Sequence, residues 1–329
     1  MNTVAKLGVY VGGLAVAFGA AFGIGAAADP VTSSGRPTHG GPARAGDSGT
    51  DGRGMPGADL GQSTTAVALP GLAVSQDGYS LMPDTNTLPA GEHVRFRFTV
   101  TGPDGAPVQK YTTTHTRDLH LIVVRRDLTG FQHVHPVRDA AGIWTASLQL
   151  ASGGTYRAFA DFTPAARKTG LTLGADISVA GMFTPVPLPA AATTTTTTGG
   201  YDVALAGTPA AGHESTLTFT VSRAGSQITD LEPYLGAFGH LVSLRAGDLA
   251  YLHTHPAQEA AAGQRGGPTV RFTTEFPTAG TYRLFLDFRA GGAVHTAPFT
   301  VVAPAPGAVA TTGGAADGPA DGPAGGHGH

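Results

Sequence analysis

Beyond position 30 the hydrophobic residues alternate with polar ones instead of recurring every three or four positions. Runs such as RFRFTV (95–100) and TLTFTV (216–221) place their apolar side chains on one face at a period of two, the signature of half-buried strands. Val, Leu, Phe, Tyr and Thr fill these runs, and Gly, Pro and Asp separate them at short intervals, as strands and turns require. No segment beyond residue 30 sustains a helical apolar period. The pattern therefore predicts an all-β chain of short strands, the layout of a sandwich or barrel.

The pattern occurs twice. DLHLIVVRRDLTGFQHVHP (118–136) aligns without a gap on FGHLVSLRAGDLAYLHTHP (238–256), so that His120 matches His240, Arg125 matches Arg245 and Phe131 matches Tyr251. Further on, TYRAFADF (155–162) matches TYRLFLDF (281–288). Each copy has a domain-sized length and the turn spacing of a seven-stranded fold. The expectation is two tandem immunoglobulin-like β-sandwiches, at 66–188 and 200–303. Stretches 30–65 and 189–199, rich in small and turn-forming residues, read as flexible linkers, and 304–329 as a disordered tail ending Gly326-His327-Gly328-His329.

At the other end, Leu7 to Ala28 form a run of 22 residues without a charge. As a helix it would be about 33 Å long, enough to cross a bilayer core. Lys6 precedes it, which favours insertion with the C-terminal part outside. Ala26-Ala27-Ala28 also resembles a signal-peptidase site. Residues 1–29 are thus an N-terminal transmembrane helix anchored in the inner membrane or a cleaved signal, and both place the rest of the chain outside the cytoplasm.

Composition narrows the chemistry. Charged residues make up 13% and the net charge is −3. No basic stripe stands out, so nucleic acid is not an expected partner. The chain has no cysteine, which excludes disulfides, thiolate zinc sites, iron–sulfur clusters, a cysteine-ligated blue-copper centre and a thiol nucleophile.

The strongest chemical signal is His-x12-His-x-His-Pro, once in each copy: His120, His133 and His135, then His240, His253 and His255. A hairpin turning near Asp127 and Leu128 brings His120 opposite position 135. One turning at Gly247 brings His240 opposite position 254, within one residue. Opposed residues on antiparallel strands have Cβ atoms about 4.5–5.5 Å apart, and residues two apart share a face. Three imidazoles can therefore cluster at a strand end, which Pro136 and Pro256 would terminate. Asp161 and Asp287, on the matched Y-R-x-F-x-D-F strand, are candidate fourth ligands. Tyr282, Leu284, Leu286 and Phe288 share one face of that strand, while Arg283, Phe285 and Asp287 share the other. The ordinary alternatives are core histidines and a turn-capping or ion-paired Asp. Arg125 and Arg245 read as structural charges. Phe131, Tyr156, Tyr251 and Tyr282 read as core aromatics. His115 and His295 have no counterpart in the other copy and are at most accessories, and His327 and His329 could bind a metal weakly. Imidazole favours copper, zinc and nickel.

In the hairpin H-L-x-x-x-x-R and the rim H-x-H-P, the modules resemble the YtkA-like and CopC-like immunoglobulin/cupredoxin-type domains of bacterial envelopes. The resemblance covers roughly 75–180 and 200–303. It implies copper handling, with copper preferred and zinc the alternative. The chain departs from the copper-resistance pattern in lacking a Met-rich stretch and a histidine at a mature amino terminus. The expected function is a membrane-anchored extracytoplasmic copper carrier or buffer with one His-rich site per module and a membrane metal transporter as partner. The alternative is a non-catalytic adhesion or scaffold module of the cell envelope. An enzyme is not expected, since no G-x-S-x-G, H-E-x-x-H or phosphate-cradling loop is present. Metal uptake should weaken below about pH 6 as imidazoles protonate.

Overall fold

A computed structural model describes residues 69–252 and 254–306, with the backbone alone at His255. The expected membrane segment, the whole of the first linker, His253 and the tail from 307 lie outside these described residues, as does the side chain of His255. Within them every element is a strand, and no helix is long and apolar enough to cross a membrane.

In the first module the Gly91–Thr101 strand buries Val94, Phe96, Phe98 and Val100 and turns the residues between them outward. It is central in a five-stranded sheet whose neighbours are Tyr79–Pro83 and Ile143–Leu150. A second sheet runs Leu171–Val179, Gly154–Pro164, Leu119–Arg125, Gln132–Val134, all antiparallel, with short strands at its margins. The core lies between the two, where Phe96, Phe98, Trp144 and Leu148 meet Leu121, Val123, Tyr156 and Ile177. The second module repeats this plan. Asp202–Ala206, Glu214–Arg223 and Thr269–Glu275 form one sheet, and Tyr251–Leu252, His240–Arg245, Gly280–Ala290 and Ala293–Ala303 form the other. Phe219, Phe272, Tyr282, Leu284, Leu286 and Phe288 fill its core. Each module is thus a pair of sheets packed face to face.

The strand Leu119–Arg125 is buried at every position, whereas a strand with one solvated face would alternate. The reason is a third apolar cluster built from both modules. Ile122, Val124 and Phe159 of the first meet Val242, Leu244, Tyr251 and Phe285 of the second. Phe131 stacks on Phe285 with centroids 3.9 Å apart, and Tyr251 packs on Phe159 at 5.7 Å. Phe131 and Tyr251 are repeat-matched, and so are Phe159 and Phe285. The contact is therefore reciprocal: each module gives the other the same two positions, as in an isologous dimer. The aromatics expected in the module cores divide accordingly. Tyr156 and Tyr282 enter their own cores, while Phe131 and Tyr251 seal the junction.

One expectation needs correcting. Residues 189–199 are not wholly a linker, because Thr194–Thr196 form an edge strand paired with Asp202–Ala206, consistent with the β-branched preference for pleated edges. The strand that carries Pro256 ends at that residue, as expected. Thr254–Pro256 pairs with Thr269–Glu275, where Pro256 faces Phe272 at the edge of the sheet, a place where a missing N–H is tolerated.

Candidate metal centre

The strand order settles where the carboxylates lie. Leu119–Arg125 pairs with Gly154–Pro164 so that His120 faces Asp161, and His240–Arg245 pairs with Gly280–Ala290 so that His240 faces Asp287. In the first hairpin Leu121 faces Val134 and Ile122 faces His133. Continuing that register brings His120 opposite His135. In the second, Ser243 faces Leu252 and Leu244 faces Tyr251. The chain then crosses to the other sheet, with the Thr254 hydroxyl still donating to the Leu241 carbonyl. Leu119, Leu121 and Val123 point into the first module's core. His120, one residue out of phase, points with Ile122 and Val124 into the junction.

One ring nitrogen of each of His120, His133 and His135 lies within 4.8 Å of the others. The ring centroids are 5.1–5.4 Å apart. The second module closes on this triad. The His240 ring is 4.7 Å from that of His133 and 5.4 Å from that of His120, nearly parallel to the latter at 14°. Asp287 accepts a hydrogen bond from His133 Nδ1 at 2.9 Å through Oδ2 and one from the Thr296 hydroxyl at 2.6 Å through Oδ1. Histidines of both modules therefore meet at one junction: the first module's His120, His133 and His135 form the triad, and the second module's His240 packs against it. Asp287 faces a histidine of the opposite module.

Partners fix the ring tautomers. His120 Nε2 lies 3.1 Å from the Thr114 carbonyl oxygen, and His133 Nδ1 lies against a carboxylate. Both oxygens only accept, so both nitrogens carry hydrogen. In neutral imidazoles the remaining nitrogens, His120 Nδ1 and His133 Nε2, are then lone pairs, and they face each other at 3.1 Å. His135 Nε2 and His240 Nδ1 are buried without a hydrogen-bond partner among the described residues. Burial, reinforced by His133, lowers the pKa of His120 to about 3. Burial and His133 lower that of His135 to about 4. Burial, with His133 and His120 beside it, pushes His240 well below its usual value. These rings are neutral at physiological pH, the form that ligates metals.

Other residues divide plainly. His115 belongs to the cluster, its ring 5.4 Å from that of His240. Its loop position has φ of 49°, and the matched Leu235 has 56°. The repeat conserves this turn and not the imidazole, which is why no pattern in the sequence singled out His115. His295 lies elsewhere, bonded to the Ala290 carbonyl and packed on Tyr201. Arg125 and Arg245 are structural, each paired with the aspartate of its own turn, Asp127 and Asp248. Sequence reasoning also missed the hydroxyls that hold the carboxylates. Thr172 donates to Asp161 as Thr296 donates to Asp287. Tyr234, whose ring lies 6.4 Å from His133 and 6.5 Å from His135, was missed as well.

Residues 73–178 and 195–305, one segment in each module, match the family described as "Domain of unknown function (DUF8832)". The chain belongs to this family. No curated protein matches it in sequence. Solved structures similar to it include the Escherichia coli adhesin FdeC, at 16% identity over 70% of this chain and 65% of that one, with a TM-score of 0.24. Yersinia pseudotuberculosis InvD is similar at 15% identity over 74% and 62%, with a TM-score of 0.21. Invasin, a bacterial integrin-binding protein, is similar at 13% over 67% and 39%, also at 0.21. The chain spans less than two thirds of the length of each, and likeness of this degree supports no functional argument.

Proposed function

We propose that this is an extracytoplasmic metal-binding protein that holds a transition-metal ion, copper first and zinc second, between its two modules and serves as carrier or buffer. The single observation that carries this reading is the approach of two ring nitrogens, His120 Nδ1 and His133 Nε2, to 3.1 Å, while the other nitrogen of each ring is committed to an oxygen acceptor. Two lone pairs at that distance repel unless a cation lies between or beside them. A tetrahedral or square site with metal–nitrogen bonds of about 2.0–2.1 Å spaces its ligand atoms comparably. His135 adds a third imidazole. The Thr114 carbonyl and the Asp287 carboxylate are the outer partners that orient ligating histidines and fix their tautomers. Asp287 is accordingly a positioning residue for His133. Copper leads because copper(II) stands highest in the affinity order for nitrogen sites and because the hairpins resemble envelope copper domains. The uncharged run from Leu7 to Ala28 supports tethering outside the cytoplasm, with hand-over to a membrane metal transporter.

A scaffold or adhesion module is the second reading, and the same contact favours it in one respect: the cation between the two imidazoles can be a proton. In that case the histidines only clasp the modules together. Titration of the full chain with copper(II) and zinc(II), read by calorimetry and by metal analysis after desalting, separates the two. The metal reading expects tight uptake that disappears in the His120→Ala/His133→Ala/His135→Ala variant. Failure to retain either ion in the wild-type chain would leave the scaffold reading standing.

A further inference from the structure

Repeat-matched loops of the two modules, 114–117 and 234–237, meet beside the histidines. Each closes on a bridge between its ends, Thr114 with Arg117 and Tyr234 with Ala237. They touch at their tips, where a Cβ on Gly236 would stand 3.8 Å from the Thr116 methyl. On one side of them lies an open groove of about 650 Å³, walled by His115 and Thr116 of the first module and by Gly236, Glu259 and Ala260 of the second. On the other lies a cavity of about 30 Å³, lined by His115, His120, Asp161 and His240 among others, with room for a water or an ion. His115, half-buried, is the residue common to both walls. Its ring is 5.4 Å from that of His240, and the His240 ring is 4.7 Å from that of His133. The imidazoles therefore form a file from the groove to the triad. Midway along it, His240 Nδ1 is buried without a hydrogen-bond partner among the described residues, a state that calls for a partner of some kind. Carboxylates outnumber guanidinium groups along the file. Asp118 and Asp161 stand against Arg117 in the cavity wall, and the exposed Glu259 adds a third in the groove. Walls of that sign draw cations in.

We propose that His115 is the transfer ligand through which the metal ion enters and leaves the junction, passing it from the groove by way of His240 to the triad. This rests on the metal reading of the triad. Each step is a ligand exchange. A bond from the ion to water breaks as one to His115 forms, the bond to His115 breaks as one to His240 forms, and the ion comes to rest on His120, His133 and His135. Its oxidation state does not change. The need for such a route is energetic, because a bare ion in a buried site costs a great deal unless a ligand replaces each lost water. A half-buried imidazole at the mouth lets the hydration shell be shed in stages. His115 is not among the three residues whose nitrogens lie within 4.8 Å of one another. Its removal should therefore change how fast the ion moves and not how tightly it rests. The fold accepts a replacement there, since the matched Leu235 holds the same left-handed turn, at φ of 56° against 49°.

The test uses the full chain, with His327→Asn and His329→Asn introduced to silence the tail. Copper(II) uptake is followed by stopped-flow fluorescence of Trp144, the chain's one tryptophan, and release by transfer to an excess of chromophoric chelator. His115→Leu should slow both uptake and release by about tenfold or more. The ratio of the two rates, and the copper content after desalting, should stay at the wild-type level. Glu259→Gln changes an exposed side chain and provides a second arm that does not depend on the loop's folding. It should slow uptake at low salt and lose that effect at about 1 M salt, where charges are screened within about 3 Å. Wild-type rates in His115→Leu would overturn the route and leave the triad intact. Faster release with unchanged uptake would overturn it as well, by making His115 a resting ligand. Uptake in Glu259→Gln that matches the wild type at low salt would remove the groove as the mouth. A wild-type chain that retains no copper(II) would instead remove the metal reading of the triad, and the route with it.

Discussion

A neutral imidazole has one N–H and one lone pair, and at His120 and His133 the N–H groups are already committed to oxygens that only accept. Asp287 is what commits His133, so its charge should be felt in metal affinity without being a ligand. Asp287→Asn keeps the shape and loses the charge. It should weaken copper(II) binding by about 10- to 100-fold, measured by competition with a chromophoric chelator. An unchanged constant would remove Asp287 from the site. Acid should act on the metal-free protein through the same rings. The folded-state pKa values of His120 and His135, about 3 and about 4, lie below the usual 6.5. Above about pH 6.5 neither the folded nor the unfolded chain protonates these rings. Between there and about pH 4 the unfolded chain takes up protons that the folded one does not, so stability falls as pH falls. The slope is at most about 1.4 kcal/mol per pH unit for each such histidine. Melting of chelator-treated protein from pH 7 to pH 4.5 should show this decline. His120→Asn should flatten it, and an equally steep decline in that variant would exclude His120 as a source.

At the scale of strands and turns, the matched turns are not equivalent. Arg125 grips Asp127 through two hydrogen bonds, and both side chains are nearly inaccessible, at 6% and 9%. Burial acts to raise the Asp127 pKa, but the hydrogen bonds from Arg125, Val186 N and Thr129 outweigh it and hold the carboxyl well below the usual range. Arg245 and Asp248 are more exposed, at 18% and 40%. Removing one charge of a buried pair strands the other at a cost of about 3–5 kcal/mol, whereas exposed pairs contribute about 0–1 kcal/mol. Asp127→Asn should therefore lower the melting temperature far more than Asp248→Asn, and equal losses in a thermal melt would contradict the burial argument. These turns also show what the sequence makes legible. The hairpin register follows from local spacing, and the matched strand Y-R-x-F-x-D-F is visible as a repeat. Alternation along that strand correctly separates Tyr282 and Leu284 from Phe285 and Asp287. What stayed illegible was the destination of the second face, since a period of two says that a face differs and not what covers it. A signal did exist. HLIVV at 120–124 carries apolar residues at both phases, which marks a strand buried on both sides. The meeting of His240 and Asp287 with the first module's histidines depends on that burial and on a contact between residues 154 positions apart, beyond any local spacing rule.

For the whole molecule, the metal centre and the junction between modules should be one cooperative unit. His133 belongs to one module and its orienting Asp287 to the other, so any opening of the junction disorders a ligand. The apolar cluster that closes it is centred on Phe285, 3% exposed and stacked on Phe131 at 3.9 Å. Phe285→Ala should cost about 3–5 kcal/mol by the usual scale for buried aromatics. Phe285 contributes to the junction, not to the second module's own core, so the loss should fall on docking and leave each sandwich folded. Metal acts in the opposite direction. An ion bound only by the docked state adds RT ln(1 + [L]/Kd), about 2.7 kcal/mol at a hundredfold excess over Kd. Calorimetry should then show copper(II) raising the melting temperature of the wild-type chain and merging its unfolding into one transition. In Phe285→Ala with chelator the two modules should melt separately, and copper(II) should restore single-transition behaviour only at higher concentration, because part of its binding energy must first re-dock the modules. If copper(II) stabilised Phe285→Ala and wild type equally at the same low concentration, the ion would not be sensing the junction. The centre would then belong to the first module alone.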